Sequence, residues 1–157
     1  MKGILRQAKI KLLVLIGKAI DIHSKGKWPS NELSNFYPHS FIIDGIQCSS
    51  MEGFLQSLKA TDFEKQINIC LLTGKDAKAE SSNDWKKQQM LFWRGKTYHR
   101  NSKDFQDLLR RAYNEMKKQN ISFTEALKAT GKKKIYHSIG NPTQSDTILT
   151  EKNSAIS

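Results

Sequence analysis

The segment from Leu33 to Lys59 constrains the fold of this chain more than any other part of the sequence. The apolar run Phe41 to Ile43 is typical of a short buried strand, and Asp44-Gly45 after it favours a tight turn. The chain then continues into Ile46 to Cys48, which has the length of a second strand. A β-hairpin is therefore predicted at the centre of this segment.

A helix is predicted directly after this hairpin. Ser49 can cap its N-terminus with the side-chain hydroxyl, and Glu52 can reach back to complete a capping box. Helical spacing then gives an apolar stripe, formed by Met51, Phe54, Leu55 and Leu58. It also gives a neighbouring polar stripe, formed by Glu52, Gln56 and Lys59. A polar stripe that begins at a helix N-terminus could line a pocket.

The rest of the chain is predicted to be mostly helical, within a single α+β domain that packs a small β-sheet or hairpin on several helices. Two strands are predicted, over 12–22 and over 134–139. The first predicted helices are one over 62–73 closed by Gly74, a short one over 76–81, and one capped by Asn83 or Asp84 that includes Trp85, Met90, Leu91 and Trp93. A longer helix capped by Ser102 follows, and then a helix opened by a Ser122/Glu125 capping box and ending at Gly131. We assign residues 1–11 to a basic N-terminal extension, 12–152 to the domain and 153–157 to a disordered tail.

The net charge of +11 favours partners that carry phosphate. The two cysteines, Cys48 and Cys70, lie in apolar surroundings and are expected to be buried reduced thiols. No histidine, cysteine or acidic cluster has ligand spacing, so no metal and no cofactor is expected. The apolar run Leu12 to Ile16 is too short for a signal sequence or a membrane span. We expect a cytoplasmic protein with no membrane partner.

Several of these residues carry a family likeness, because the segment Leu33 to Lys59 resembles the signature of the NADAR family (NAD- and ADP-ribose-associated). The matching features are Ser34-Asn35-Phe36, the glycine-bearing hairpin, Glu52 on the next helix, and more weakly Ala77-Lys78, Trp85-Lys86 with Met90, and Thr130-Gly131. Near the C-terminus, His137 lies close to the position of the usual acid and Asp146 corresponds to an aspartate, but the family's tryptophan is missing. The chain thus resembles a divergent branch.

The resemblance implies a hydrolase of the N-glycosidase type that cleaves the ribose–base bond of an ADP-ribosylated or phosphoribosylated nucleobase. Its substrate is then an anionic riboside or an ADP-ribose-containing molecule, either free or attached to nucleic acid. Glu52 is the implied catalytic carboxylate, because it can stabilise positive charge on the sugar or act as a general base on water. The implied substrate-binding residues are Asn35, Phe36, Gln56, Lys59, Lys78, Trp85, His137 and Asp146. Lys59 or Lys78 could bind phosphate or capture an opened sugar as a Schiff base.

Other interpretations stay open. The chain could be a non-catalytic binder of ADP-ribose or a related nucleotide, or a basic nucleic-acid-binding protein. A capping box alone would account for Glu52, and the two lysines are of a kind usually found on solvated faces. Trp85 has the helical spacing of a core residue. The sequence does not decide between these roles.

Overall fold

A computed structural model describes residues 2–138 and 147–149 of the chain. The helices are α1 (Lys2–Leu15), α2 (Met51–Ser57), α3 (Phe63–Cys70), α4 (Gly74–Ala79), α5 (Trp85–Gln88), α6 (Lys103–Gln119) and α7 (Ile121–Ala129). The strands are β1 (Ala19–Asp21), β2 (Phe41–Ile43), β3 (Ile46–Cys48), β4 (Met90–Trp93), β5 (Lys96–His99) and β6 (Lys134–Tyr136). They pair as β1 with β6, β2 with β3 and β4 with β5. The predicted helix-rich α+β domain is confirmed.

The predicted hairpin is present as β2 and β3, which pair in antiparallel register with Ile43 opposite Ile46. Asp44 and Gly45 both have positive φ, at 51° and 80°, as the tight two-residue turns of hairpins require. The Asp44 carboxylate accepts hydrogen bonds from both terminal nitrogens of Arg111 on α6, at 2.7 and 3.1 Å. Asp44 also accepts one from Trp93 Nε1 at 2.8 Å. The turn is therefore fixed against two distant elements.

Helix α2 follows the hairpin, but its cap differs from the predicted one. Ser50, not Ser49, is the N-cap residue, and its Oγ accepts a hydrogen bond from Gly53 N at 3.0 Å. The same hydroxyl donates to Leu72 O at 3.0 Å, which ties the start of α2 to the end of the α3 segment. With the cap at Ser50, Glu52 is one residue too close for a capping box. The capping-box interpretation of Glu52 was wrong.

The run from Trp85 to Trp93 was predicted as one helix and is not. Helix α5 ends at Gln88, Gln89 adopts a positive φ of 56°, and the chain turns into β4. Arg94 and Gly95 also have positive φ, at 48° and 77°, and close a second hairpin between β4 and β5. Gly95 favours a turn at this point of the sequence, but the spacing of Trp85 and Trp93 favoured a helix and led to the wrong prediction.

Gln66 on α3 connects β4 to neighbouring elements through its side-chain hydrogen bonds. Its buried side-chain amide donates hydrogen bonds to Ser57 O, Ala60 O and Phe92 O at 3.2, 3.3 and 2.9 Å. Its Oε1 accepts one from Arg94 N at 3.1 Å. One amide therefore joins the end of α2, helix α3 and the second hairpin.

Four smaller predictions also need correction. Helix α1 extends to Leu15, so it occupies the start of the strand predicted over 12–22. Gly74 does not close a helix, because α3 ends at Cys70 and Gly74 opens α4, which begins and ends two residues before the predicted range 76–81. Asn120 rather than Ser122 occupies the N-cap position of α7. Strand β6 ends at Tyr136. The predicted Ser102 cap of α6 is confirmed by a hydrogen bond from Phe105 N to Ser102 Oγ.

The core lies between α2, α6 and the two hairpins. Its largest fully buried side chains include Trp93, Phe41, Phe54, Phe105, Leu58, Leu91, Leu108 and Leu109. Cys48 and Cys70 are both buried free thiols, as predicted. Across the described parts of the chain, no helix has the length and apolar character needed to cross a bilayer. The predicted tail at 153–157 lies outside the described residues.

Candidate active site

Glu52 lies in the first turn of α2 with its side chain 9% exposed. Its backbone N–H donates to Asn35 O at 2.9 Å, which fixes the loop before the hairpin against the helix start. Its Oε1 accepts a hydrogen bond from Gln56 Nε2 at 2.7 Å. Because Gln56 lies one turn further along α2, helical spacing brings the two side chains together. Glu52 is thus a buried carboxylate held by an amide.

Two lysines converge on this carboxylate from different elements. Lys78 Nζ on α4 lies 3.9 Å from Glu52 Oε1, and the Lys78 side chain is exposed. Lys59, just beyond the end of α2, donates to Ser81 Oγ at 2.7 Å, and its Nζ lies 5.8 Å from the centre of the Trp85 ring. We call Glu52, Gln56, Lys59, Lys78 and Trp85 the Glu52 cluster. It joins a buried acid to a half-buried lysine, Lys59, and an exposed one, Lys78.

The surroundings of Lys59 lower the pKa of its ammonium group. Its pKa falls from 10.5 to about 8, chiefly because burial disfavours the charged ammonium. The positive charges of Lys78 and Lys86 lower the pKa further, whereas the negative charge of Glu52 raises it. Lys59 therefore carries its charge at neutral pH and loses it under mildly basic conditions. A bound anion would favour the charged form.

Asn35 is held from the opposite side by Tyr113 on α6. Tyr113 OH donates to Asn35 Oδ1 at 2.9 Å. Burial raises the pKa of Tyr113, and the nearby charge of Glu52 raises it further, so the phenol stays protonated as a donor. Tyr113 is a component of the site that was not among the residues predicted from the sequence. Its sequence signal was the apolar stripe of α6, which gives no indication of where the hydroxyl points.

Phe36 follows Asn35 and is half-buried. A Cβ added to Gly74, the first residue of α4, would lie 3.6 Å from Phe36 O and 3.8 Å from its ring. These are ordinary van der Waals distances, so α4, which carries Lys78, begins in contact range of the Phe36 loop, and it is the positive φ of Gly74, at 48°, that favours glycine there. The motif that contains Asn35 and Phe36 thus borders the Glu52 cluster.

Two buried polar atoms of the cluster have no hydrogen-bond partner within the part of the chain that the structure describes. These are Gln56 Oε1, an acceptor, and Trp85 Nε1, a donor. Leaving such an atom unsatisfied costs about 1 to 3 kcal/mol. Both residues are at most 4% exposed. A ligand with its own donors and acceptors could satisfy such groups.

The other two predicted binding residues are His137 and Asp146, and no contact among the described residues connects them to the Glu52 cluster. His137 follows β6, and the charged groups that act on it are Asp21 and His23. Asp146 lies outside the described residues. The structure therefore assembles six of the eight predicted binding residues, which are Asn35, Phe36, Gln56, Lys59, Lys78 and Trp85, around Glu52.

Two shallow surface depressions lie away from the carboxylate. One is lined by Asn83, Asp84, Lys86 and Lys87, beside Trp85 in the chain, and the other by residues between Leu127 and Tyr136. Glu52 lines neither of them. Within residues 2–138 and 147–149, no three histidine, cysteine or acidic side chains are grouped so as to hold a metal ion.

Comparison with known proteins places the chain in a phage family. Residues 27–156 match the family described as bacteriophage protein GP30.3, and the chain belongs to this family. The chain is also 40% identical over 135 residues to a protein of Enterobacteria phage T4, described as an uncharacterized 17.1 kDa protein in the Gp30-rIII intergenic region. That similarity covers 84% of this chain and 89% of the phage T4 protein. No solved structure matches the chain. The family match includes the whole Glu52 cluster and begins after α1 and β1.

Proposed function

We propose that this member of the bacteriophage GP30.3 family hydrolyses the N-glycosidic bond of an anionic riboside, with Glu52 as the catalytic carboxylate. The observation that carries this proposal is the buried Glu52 carboxylate, held by Gln56 and faced by Lys59 and Lys78. Ser50 already supplies the side-chain cap of α2, so Glu52 has no capping function that would explain its position. The likeness of the Leu33 to Lys59 segment to NADAR proteins supports the same chemistry.

The proposed reaction breaks the bond between the ribose anomeric carbon and a base nitrogen. The electron pair of that bond leaves with the base, and positive charge develops on the sugar. A carboxylate placed beside the sugar stabilises this charge, and a fixed buried group is effective because it needs little reorganisation. Water then adds its oxygen to the anomeric carbon, Glu52 accepts the water proton, and the base nitrogen finally receives it. The products are the free base and the free ribose derivative.

The lysines account for the anionic part of the substrate. Lys78 is exposed and so available to bind a phosphate, whereas Lys59 donates a hydrogen bond to Ser81 beside the Trp85 ring. Two cations near one carboxylate suit a substrate that brings negative charge to the site and positive charge to the reacting carbon. A ligand would also complete the hydrogen bonding of Gln56 Oε1 and Trp85 Nε1.

In this proposal, Asn35 and Phe36 contact the ribose or the base. Tyr113 occupies Asn35 Oδ1, so the amide nitrogen is the part of Asn35 assigned to the ligand. The half-buried Phe36 ring supplies a face for stacking. His137 and Asp146 remain proposed contacts for the distal part of the substrate.

A product analysis tests the proposal. The purified protein is incubated in H₂¹⁸O with NAD, phosphorylated ribosylaminopyrimidines and ADP-ribosylated oligonucleotides, and the products are followed by mass spectrometry. We expect a free base together with a ribose product that carries the heavy oxygen. Binding of a substrate without turnover would support a non-catalytic nucleotide-binding domain instead. Salt-sensitive binding to unmodified DNA, with neither turnover nor riboside binding, would support the nucleic-acid-binding alternative.

A further inference from the structure

We propose that helix α1 docks the protein on an anionic lipid surface, in contrast to the expectation from the sequence that the protein has no membrane partner. Helix α1 has one buried residue in its centre, Ile10, which anchors it to the body of the protein. Leu13 is half-buried, and the other large apolar side chains are exposed. Those exposed to solvent on the helix and just beyond it are Ile4, Leu5, Leu12, Val14, Leu15 and Ile16, with Leu15 83% exposed and Ile4 76% exposed.

Most of these side chains lie on one face. At about 100° per residue, Ile4, Leu5, Leu12, Leu15 and Ile16 fall within roughly one third of the helix circumference. The centre of this face lies opposite Ile10, so the apolar stripe points directly away from the protein body. A contiguous apolar stripe of this kind marks an interaction surface more often than scattered exposed leucines do.

The charges of α1 indicate the kind of surface that covers the stripe. Residues 1–20 contain five basic side chains and no acidic one. By the same helical geometry, Lys9 and Lys11 lie at the two edges of the apolar stripe. Apolar residues on one face with lysines at its edges are typical of helices that lie in the interface of an anionic bilayer.

Other occupants fit these features less well. A second copy of the chain would place the lysines of one α1 against those of the other, with no acid on either helix to offset the repulsion. Nucleic acid would attract the lysines but leave the leucines and isoleucines exposed to water. The helix has 14 residues and interspersed charges, so it suits the membrane surface and not a span.

Vesicle co-sedimentation tests this docking. The full chain is mixed with vesicles of phosphatidylglycerol and phosphatidylcholine, or of phosphatidylcholine alone. We expect binding to the anionic vesicles and at least about tenfold weaker binding to the neutral ones. The double variant Leu12→Glu/Leu15→Glu should weaken binding to the anionic vesicles about tenfold or more, because it replaces the centre of the stripe with charge.

Matched controls separate docking from misfolding. Leu12 and Leu15 are exposed, so the double variant should keep the thermal unfolding temperature of the parent. Ile121→Glu alters an equally exposed apolar residue on α7 and should bind vesicles as the parent does. Lys9→Gln/Lys11→Gln should reduce binding at low salt.

The opposite results would overturn the proposal. No binding to anionic vesicles would do so, as would equal binding by the Leu12/Leu15 double variant. A dimer in light scattering that disappears in the double variant, without vesicle binding by the parent, would assign the stripe to a second copy. Catalytic turnover plays no part in these measurements, so they stand apart from the proposed hydrolase function.

Discussion

Gln56 Nε2 donates a 2.7 Å hydrogen bond to Glu52 Oε1 one helical turn away. The same carboxylate oxygen lies 3.9 Å from Lys78 Nζ. The cap of α2 is supplied by Ser50. The chemical and structural roles of the first turn of α2 therefore belong to different residues and can be separated by mutation.

Glu52→Gln should abolish turnover and keep the fold. The amide oxygen can still accept from Gln56, but a neutral amide cannot stabilise a cationic sugar, so we expect a loss of about 10²-fold or more in kcat. The matched control is Ser50→Ala, which should lower the free energy of unfolding by about 1 to 2 kcal/mol while leaving kcat per folded molecule near the parent value. Full activity of Glu52→Gln on an identified substrate would remove Glu52 from the mechanism.

Phe36→Ala should weaken ligand binding more than it lowers stability. The half-buried ring is assigned to stacking, and its loss should cost roughly 1 to 3 kcal/mol of binding free energy. Phe54→Ala, which empties a fully buried core position, should instead cost about 3 to 5 kcal/mol of folding free energy. Ligand titration and thermal unfolding of both variants distinguish the roles. A strongly destabilised Phe36→Ala with unchanged affinity would contradict the assignment.

The depressed pKa of Lys59 predicts two opposite pH trends. The folded chain releases the Lys59 proton near pH 8 and the unfolded chain near pH 10.5, so between these values the unfolded state binds more protons. The contribution of Lys59 to the free energy of unfolding therefore rises with pH across this window, whereas its contribution to anion binding falls. Denaturant titrations and phosphate-ligand titrations at several pH values measure the two trends.

Lys59→Met should remove both trends, and Lys75→Met, at an exposed position on α4, should leave them unchanged. Identical pH profiles for the parent and Lys59→Met would show that Lys59 titrates as an ordinary lysine.

Asp44→Asn should destabilise the protein at neutral pH and have little effect in acid. Hydrogen bonds from Arg111 are the largest cause that lowers the pKa of Asp44, and Trp93 adds to them. A carboxyl group with a lowered folded-state pKa contributes stability above its unfolded value, here 3.8, and loses it as the pH falls through the folded value. We expect a loss of about 1 to 3 kcal/mol at pH 7, measured by denaturant unfolding.

Two features make this substitution informative. Asparagine accepts the positive φ of Asp44 at the hairpin turn, so the effect reports the charge and not backbone strain. Asp107→Asn breaks an exposed pair with Arg110 and should cost less than about 1 kcal/mol. A constant difference between parent and Asp44→Asn from pH 7 to pH 2 would contradict the prediction.

Gln66→Leu should destabilise the second hairpin. The substitution leaves Arg94 N–H without its acceptor and removes the donor to Phe92 O, at a cost of about 2 kcal/mol or more. Hydrogen exchange should show faster exchange of the β4 and β5 amides than in the parent. Gln88→Leu, at an exposed position of α5, should change the free energy of unfolding by less than about 0.5 kcal/mol.

The sequence by itself determined the elements whose causes are local. The Asp44-Gly45 turn, the Ser102 cap and the helical spacing of α6 each depend on residues only a few positions apart, and all three are present. Helical spacing alone also predicts that Glu52, Gln56 and Lys59 share one face of α2. The hydrogen bond between Gln56 and Glu52 confirms that these two side chains lie together.

Only the tertiary structure decided the elements that depend on distant partners. The run after Gln88 becomes a strand because Gln66 Nε2 donates to Phe92 O and Leu58 O accepts from Phe92 N–H, and these contacts outweigh a spacing that suited a helix. The contact between Asn35 and Tyr113 spans 78 residues, and the approach of Lys78 to Glu52 depends on how α4 packs against α2. Buried polar groups need hydrogen-bond partners, and the folded chain can supply these partners from residues far away in the sequence. Local sequence spacing therefore does not indicate which distant residues meet.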